Sequence, residues 1–195
     1  MKLLIVSDQE SSYLYDYFDK DKFSNIDLIL SCGDLKSSYL SYLVTMINAP
    51  LFYVHGNHDD HYAQKPPEGC QSIDGKLVVF QGLRILGVGG SRKYREGLHQ
   101  YTEMQMAFKI ANLYPKLMRH NGIDILLTHS PALGLGDGKD LIHTGFPQFN
   151  KLLDRYVPKY FFHGHQHLNY GYSERVIKYG NTTIINGFGY QIIEY

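Results

Sequence analysis

Five short segments of this chain carry side chains of the kinds that bind metal ions: Asp8 with Glu10, Asp34, Asn57 beside His58, His129, and His165 with His167. Carboxylate, amide oxygen and imidazole together suit Mn, Fe, Zn or a similar ion. No thiolate is obviously among them, which disfavours a structural zinc site. Three segments are also marked by glycine: Gly33-Asp34, Gly56-Asn57-His58-Asp59 and Gly164-His165-Gln166-His167. Any one alone reads as readily as strand-end capping. Their recurrence, in order and each after an apolar run, favours one shared site.

The elements that must position them follow from those apolar runs. Residues 3–6, 26–31 and 51–54 read as buried strands, with helical patterns over 11–18 and 39–47 between them. This βαβαβ opening predicts a parallel sheet, and ligands of such sheets bind beyond the carboxyl ends of the strands. Lys65-Pro66-Pro67-Glu68-Gly69 is a loop. Residues 76–80 and 84–88 read as adjacent strands around Gln81-Gly82. The longest helical pattern covers 103–118, with Thr102 as its N-cap. A strand over 123–127 delivers His129, a short helix over 149–156 closes at Pro158, and a strand over 160–162 delivers His165 and His167. Residues 175–179, 182–185 and 191–194 look like antiparallel strands. Two mixed β-sheets face to face with helices outside, a four-layer αββα sandwich of the α/β class, would absorb this pattern.

The bulk properties narrow the function classes. A chain of 195 residues suits a single domain over 1–195. Lys plus Arg and Asp plus Glu number 19 each, so no nucleic-acid-binding surface is evident at the level of the whole chain. The apolar run at the N-terminus is too short for a signal-peptide core, and nothing approaches the ~20 apolar residues of a membrane span. The expectation is a cytoplasmic protein with no membrane partner. Cys32 and Cys70 agree with it, since a disulfide-stapled fold usually carries more cysteines.

As a set, these motifs resemble those of the calcineurin-like metallophosphoesterases, whose pattern is D-x-H, G-D, G-N-H-D/E, a lone His after a strand, and G-H-x-H. The resemblance spans residues 3 to about 185. It implies the αββα sandwich and a dinuclear centre of two divalent metal ions, whose bridging water or hydroxide attacks a phosphoester. By the same resemblance Asp34 bridges the ions. Asp8 and His167 complete the first site with whatever stands at position 10, and Asn57, His129 and His165 complete the second. His58 is not a ligand in the family and serves as general acid, a role suited to imidazole. Asp59 would orient His58 by a hydrogen bond.

The departure is Glu10, where the family has His. Three readings compete: Glu10 ligates the first metal, it hydrogen-bonds a metal-bound water, or the first site is weak. Three carboxylates against two divalent ions still leave a net positive site. The extra anion should lower Lewis acidity and shift preference toward oxygen-loving Mn or Mg, with Fe possible and Zn less favoured there.

Gly89-Gly90-Ser91-Arg92-Lys93-Tyr94 follows a strand but lacks the spacing of a P-loop. It is either a solvated turn or a loop over the metals with Arg92 or Tyr94 on the substrate. His143 either faces the site or is a loop histidine. His163 reads as lying behind the ligands, His55 and His61 as bystanders, and His99 and His120 as exposed. Tyr13, Tyr15, Tyr39, Tyr42, Tyr94 and Tyr101 either stack on a base or fill amphipathic positions. The expected substrate is a small or nucleotide-like phosphate ester, monoester or diester. The alternative is a protein-interaction scaffold like the retromer subunit of this fold, whose metal site is degraded. A scaffold is free to lose Asn57, His58 or His129, and all three are present. A nuclease reading lacks a basic excess or an accessory domain.

Overall fold

The computed structural model describes residues 1–168 and 174–195. Its first sheet begins with β1 (Lys2–Ser7), whose Leu3, Leu4, Ile5 and Val6 are apolar on both faces and wholly buried. Such a run suits a strand covered on both sides. β1 pairs in parallel with β2 (Leu28–Ser31), and β2 with β3 (Leu51–Tyr53), as the opening pattern predicts. Two strands complete this sheet at its edges: β4 (Cys70–Ser72), which is short and half-buried and had no sequence signal, and β13 (Gly189–Glu194), antiparallel to β1. Its strand order is β13-β1-β2-β3-β4.

The second sheet holds the hairpin β5 (Lys76–Phe80) and β6 (Leu83–Val88), then β9 (Ile125–Thr128), β10 (Tyr160–His163), β11 (Val176–Tyr179) and β12 (Thr182–Asn186), in the order β11-β12-β10-β9-β6-β5. β6, β9, β10 and β12 run parallel, so only part of the expected antiparallel C-terminal block is antiparallel. The last strand crosses to the other sheet. A two-stranded ribbon, β7 (Ser91–Arg92) with β8 (Gln100–Tyr101), projects beyond β6.

Three apolar clusters make four layers. Leu3, Ile5, Leu28 and Leu30 of the first sheet meet Ile85, Ile125, Leu127 and Phe162 of the second. The outer face of the first sheet is covered by Tyr39, Leu40 and Leu43 of helix α1 (Ser37–Ile47), with Leu14 and Phe23 from the segment between β1 and β2. Met106 and Ile110 of α2 (Glu103–Ala111), Leu117 of α3 (Tyr114–Arg119) and Phe149, Leu152 and Leu153 of α4 (Pro147–Tyr156) cover the other outer face. This is the αββα sandwich.

Two helical expectations are corrected. Residues 12–17 form successive turns, not a helix. Tyr13, Tyr15, Tyr17 and Phe18 are weak helix formers, and Asp19 bonds the backbone N–H of Asp21 instead of supporting a ladder. The pattern over 103–118 is two helices, because Pro115 has no N–H and its ring crowds the preceding turn. Thr102 does cap α2, in a reciprocal box with Gln105. The two cysteines are free thiols.

Candidate metal centre

β1, β2, β3, β9 and β10 end at one edge shared by the two sheets, and each continues into one candidate motif. Asp8 lies directly after β1, Asp34 three residues after β2, Asn57 four after β3, His129 directly after β9 and His165 two after β10. The chain turns sharply at three of them. Asp8, Asp34 and His165 hold left-handed backbone, with φ of 62°, 56° and 65°. For residues with a Cβ this is uncommon, and it is found where surrounding structure over-determines a functional position. Two glycines make the turns possible. A Cβ on Gly56 would overlap the Asp34 carboxylate, and one on Gly164 would overlap the Ser7 hydroxyl and the Asp8 carboxylate.

Four side chains converge on one point. His129 Nε2 lies 3.0 Å from Asn57 Oδ1, 3.1 Å from His165 Nδ1 and 3.3 Å from Asp34 Oδ2. The far side of each group fixes which atom faces inward. His129 Nδ1 donates to the Cys32 carbonyl at 2.8 Å, and His165 Nε2 donates to the Ile142 carbonyl at 2.9 Å. In the neutral rings, both inward nitrogens therefore carry lone pairs. The Asn57 amide nitrogen donates to the Tyr94 hydroxyl at 3.2 Å, which turns its oxygen inward. With both rings neutral, four acceptors face one another with no donor between them; a proton on His129 or a metal ion supplies the positive charge this arrangement calls for. Ligands about 2.0–2.2 Å from a tetrahedral ion stand roughly 3.4 Å apart, close to this spacing.

The protonation tendencies agree. Burial works against charge on His129, yet the pull of Asp34 and Asp8 with the Cys32 carbonyl raises it to about 9. Burial likewise opposes ionisation of Asp34, but His129 and the His58 N–H hold it low. Burial and the charge on His129 push His165 down to about 3. A cluster that draws a proton onto a buried imidazole is short of positive charge.

Asp8 is fully buried, accepts the His165 N–H at 3.0 Å, and lies 3.8 Å from His167 Nε2. Burial, with Asp34 adding to it, raises the Asp8 carboxyl. Glu10 is placed differently. Its carboxylate stands 3.5 Å from Lys36 Nζ, and it lines a cavity of about 450 Å³ with Tyr13, Arg175, Phe188 and Tyr190. A lysine, itself largely exposed, thus stands beside the carboxylate at position 10, a neighbour that the count of ligand charges did not include.

Other expected roles change. Asp59 does not reach the His58 ring: its Oδ2 accepts the backbone N–H groups of Gly56 at 2.7 Å and Asp34 at 2.9 Å, so it holds the two loops together. Burial and the neighbouring Asp34 raise it to about 6. The His58 ring is exposed, and its Nδ1 meets Arg95, 3.3 Å away. Arg92 is committed elsewhere, to the Gly145 carbonyl, to Glu103 at 2.7 Å and across the Phe146 ring. Tyr94 does sit at the site, through Asn57. His143 packs beside His165 at 5.4 Å between ring centroids, while its Nδ1 is bonded to Asp140 at 2.8 Å. His163 is buried behind the edge, bonded to the Gly164 carbonyl. Tyr39 is core.

His99, expected at the surface, is half-buried. Its ring stacks on His55, with centroids 4.2 Å apart and planes at 5°. Beside them Asp74 accepts from Lys109 at 2.8 Å, from the Gly89 N–H at 2.7 Å and from His55 at 3.3 Å. Lys109 already supplies the cation this cluster needs, so it reads as a tie between the β3 and β6 loops. Asp74, His99 and Lys109 are far apart in sequence and belong to no motif, so only the fold could bring them together.

The calcineurin-like phosphoesterase family model matches residues 1–169. One crystal structure superposes at a TM-score of 0.67 with 14% identity, over 98% of this chain and 94% of that one. TT1561 of Thermus thermophilus superposes at 0.65 with 15% identity, over 96% and 88%. At these identities the two structures speak for the fold. No curated protein matches the sequence significantly. The extent of the family match places the chain in its family: it belongs to the calcineurin-like phosphoesterases.

Proposed function

We propose that this calcineurin-like phosphoesterase is an active metal-dependent phosphoester hydrolase. The observation that carries the reading is the convergence of His129 Nε2, Asn57 Oδ1, Asp34 Oδ2 and His165 Nδ1, four ligand-type atoms gathered at one buried point. In the proposed assignment these four hold one divalent ion. Asp8 and His167, with Asp34 shared, hold a second less tightly, and Glu10 acts from its edge. Two such ions supply Lewis-acid stabilisation of a phosphoryl group and an activated water, and the donor set favours Mn or Fe.

The rest falls to the protein. Asn57 and the two imidazoles are held by carbonyls and by Tyr94, so they need no rearrangement to bind. The His58 backbone is fixed by its N–H to Asp34 Oδ1 at 2.8 Å, which holds the exposed ring, with Arg95 on its Nδ1, where it can meet the ester oxygen. There it donates a proton to the departing alkoxide. Its position is set by the loops that Asp59 clamps.

The test is reconstitution. Metal-stripped protein is loaded with Mn, Fe, Mg or Zn and assayed on p-nitrophenyl phosphate and bis-p-nitrophenyl phosphate, with bound metal counted. Turnover that follows metal content, highest with Mn or Fe and reduced at least a hundredfold in His129→Ala, is the expected result. Full metal occupancy without turnover on a wide ester panel would turn the reading toward the scaffold. Failure to bind metal would defeat the site assignment.

A further inference from the structure

The β7–β8 ribbon is fastened over the candidate site by side chains that are not themselves ligands. The Leu98 N–H donates to Asp60 Oδ1 at 3.1 Å, tying the ribbon tip to the turn after His58. The Gln100 side-chain oxygen, on a residue 5% exposed, accepts the backbone N–H groups of Tyr94 at 3.3 Å and Arg95 at 3.1 Å. Tyr94 reaches Asn57. The backbone that carries Arg95 is thus held at three points around the His58–Asn57 segment.

Arg95 is the cation this scaffold delivers. Its guanidinium stands 3.3 Å from His58 Nδ1 and against the Tyr94 ring, with 5.4 Å to the centroid. Among the described residues no carboxylate lies within ion-pair distance of it. The other cations nearby are spoken for: Arg92 by Glu103, Lys93 by Glu96, Lys36 by Glu10 and Lys109 by Asp74. A planar guanidinium fixed at its backbone, exposed, and adjacent to the proposed general acid is suited to bidentate capture of phosphoryl oxygens.

We propose that Arg95 binds the substrate's phosphoryl group and selects a doubly charged phosphate monoester over a singly charged diester. This rests on the hydrolase reading above. The selection follows from charge: with two divalent ions and an arginine facing one phosphate, every added negative charge on the ligand is rewarded. Next to a guanidinium at near-surface dielectric, one extra charge is worth about a tenfold change in affinity or more.

The experiment separates binding from turnover. Calorimetry on manganese-loaded protein measures the affinities of methyl phosphate and dimethyl phosphate, which lack an activated leaving group, for wild type, Arg95→Ala, Arg95→Gln and Arg95→Lys. Expected are a loss of at least tenfold for methyl phosphate in Arg95→Ala and Arg95→Gln, a change below about threefold for dimethyl phosphate, and partial recovery in Arg95→Lys. In parallel, kcat/KM for p-nitrophenyl phosphate should fall mainly through KM. Equal losses on both ligands, or none, would overturn the proposal. Melting temperature and bound metal are measured on each variant, and should Arg95→Ala not fold, Arg95→Gln and Arg95→Lys decide. If no ester is turned over by wild type, the hydrolase reading fails on its own account, while the calorimetry still reports whether Arg95 discriminates by charge.

Discussion

Asp8 and Glu10 stand two residues apart, and their surroundings separate them. Asp8 is fully buried, sits on left-handed backbone, accepts the His165 N–H and faces His167. Glu10 is about one-third exposed and shares its charge with a lysine that is 75% exposed. Such a surface pair adds little on its own. A buried carboxylate aimed at a neighbouring imidazole has far more to gain from a cation. In a metal titration, Asp8→Asn should therefore weaken the second, looser binding event at least tenfold more than Glu10→Gln does, with the tighter event nearly unchanged by Glu10→Gln. Equal effects would return Glu10 to the full ligand role that its position suggests from the family pattern.

Among the elements, the tie between the β3 and β6 loops lies directly before the ribbon, where the N–H groups of Gly89 and Gly90 donate to Asp74 and to the His55 carbonyl. Asp74 is its hub, and its burial would by itself raise the carboxyl. His55, Lys109 and the Gly89 N–H more than offset this and hold it below the ordinary carboxylate value. A lowered folded-state pKa gives stability that is present above the unfolded value of about 3.9 and is lost as pH falls through the folded one. Asp74→Asn leaves the largely buried Lys109 ammonium without its carboxylate, with only the Gly89 carbonyl and the Tyr101 hydroxyl to accept from it, and should cost about 3 kcal/mol at pH 7. The gap between mutant and wild type, read from urea midpoints, should narrow as pH drops below about 4. A gap that stays constant down to pH 2.5 would mean that the tie is not electrostatic.

At the scale of the whole molecule, the candidate site lies across the seam between the sheets. Asp8, Asp34 and Asn57 follow strands of the first sheet, and His129 and His165 follow strands of the second. An ion held at this seam cross-links the two halves of the sandwich and binds only the folded chain. At a hundredfold its dissociation constant such a ligand adds about 2.7 kcal/mol. For a domain of this size that corresponds to roughly 5–10 °C in melting temperature. EDTA should lower the melting temperature by about that amount, and His129→Ala should abolish the difference. No helix among the described residues is long and apolar enough to cross a membrane.

The sandwich and the edge carrying the ligands were legible in the sequence because strand runs and strand-end motifs are local and ordered along the chain. Leu3 to Val6 leading into Asp8, or Ile123 to Leu127 leading into His129, announces both the element and its chemistry. What the local pattern could not carry is what side chains do across the fold. Arg92 and Arg95 are three residues apart on one ribbon. Arg92 pairs with Glu103 and the Gly145 carbonyl, whereas Arg95, its backbone N–H held by Gln100, stands beside His58. Asp59 looked like a partner for its neighbour and instead bonds the backbone of two loops. The residue types and their order thus determined which chemistry is available. Only the tertiary structure decided which charges are already satisfied, because pairing depends on distances between segments that the sequence holds far apart.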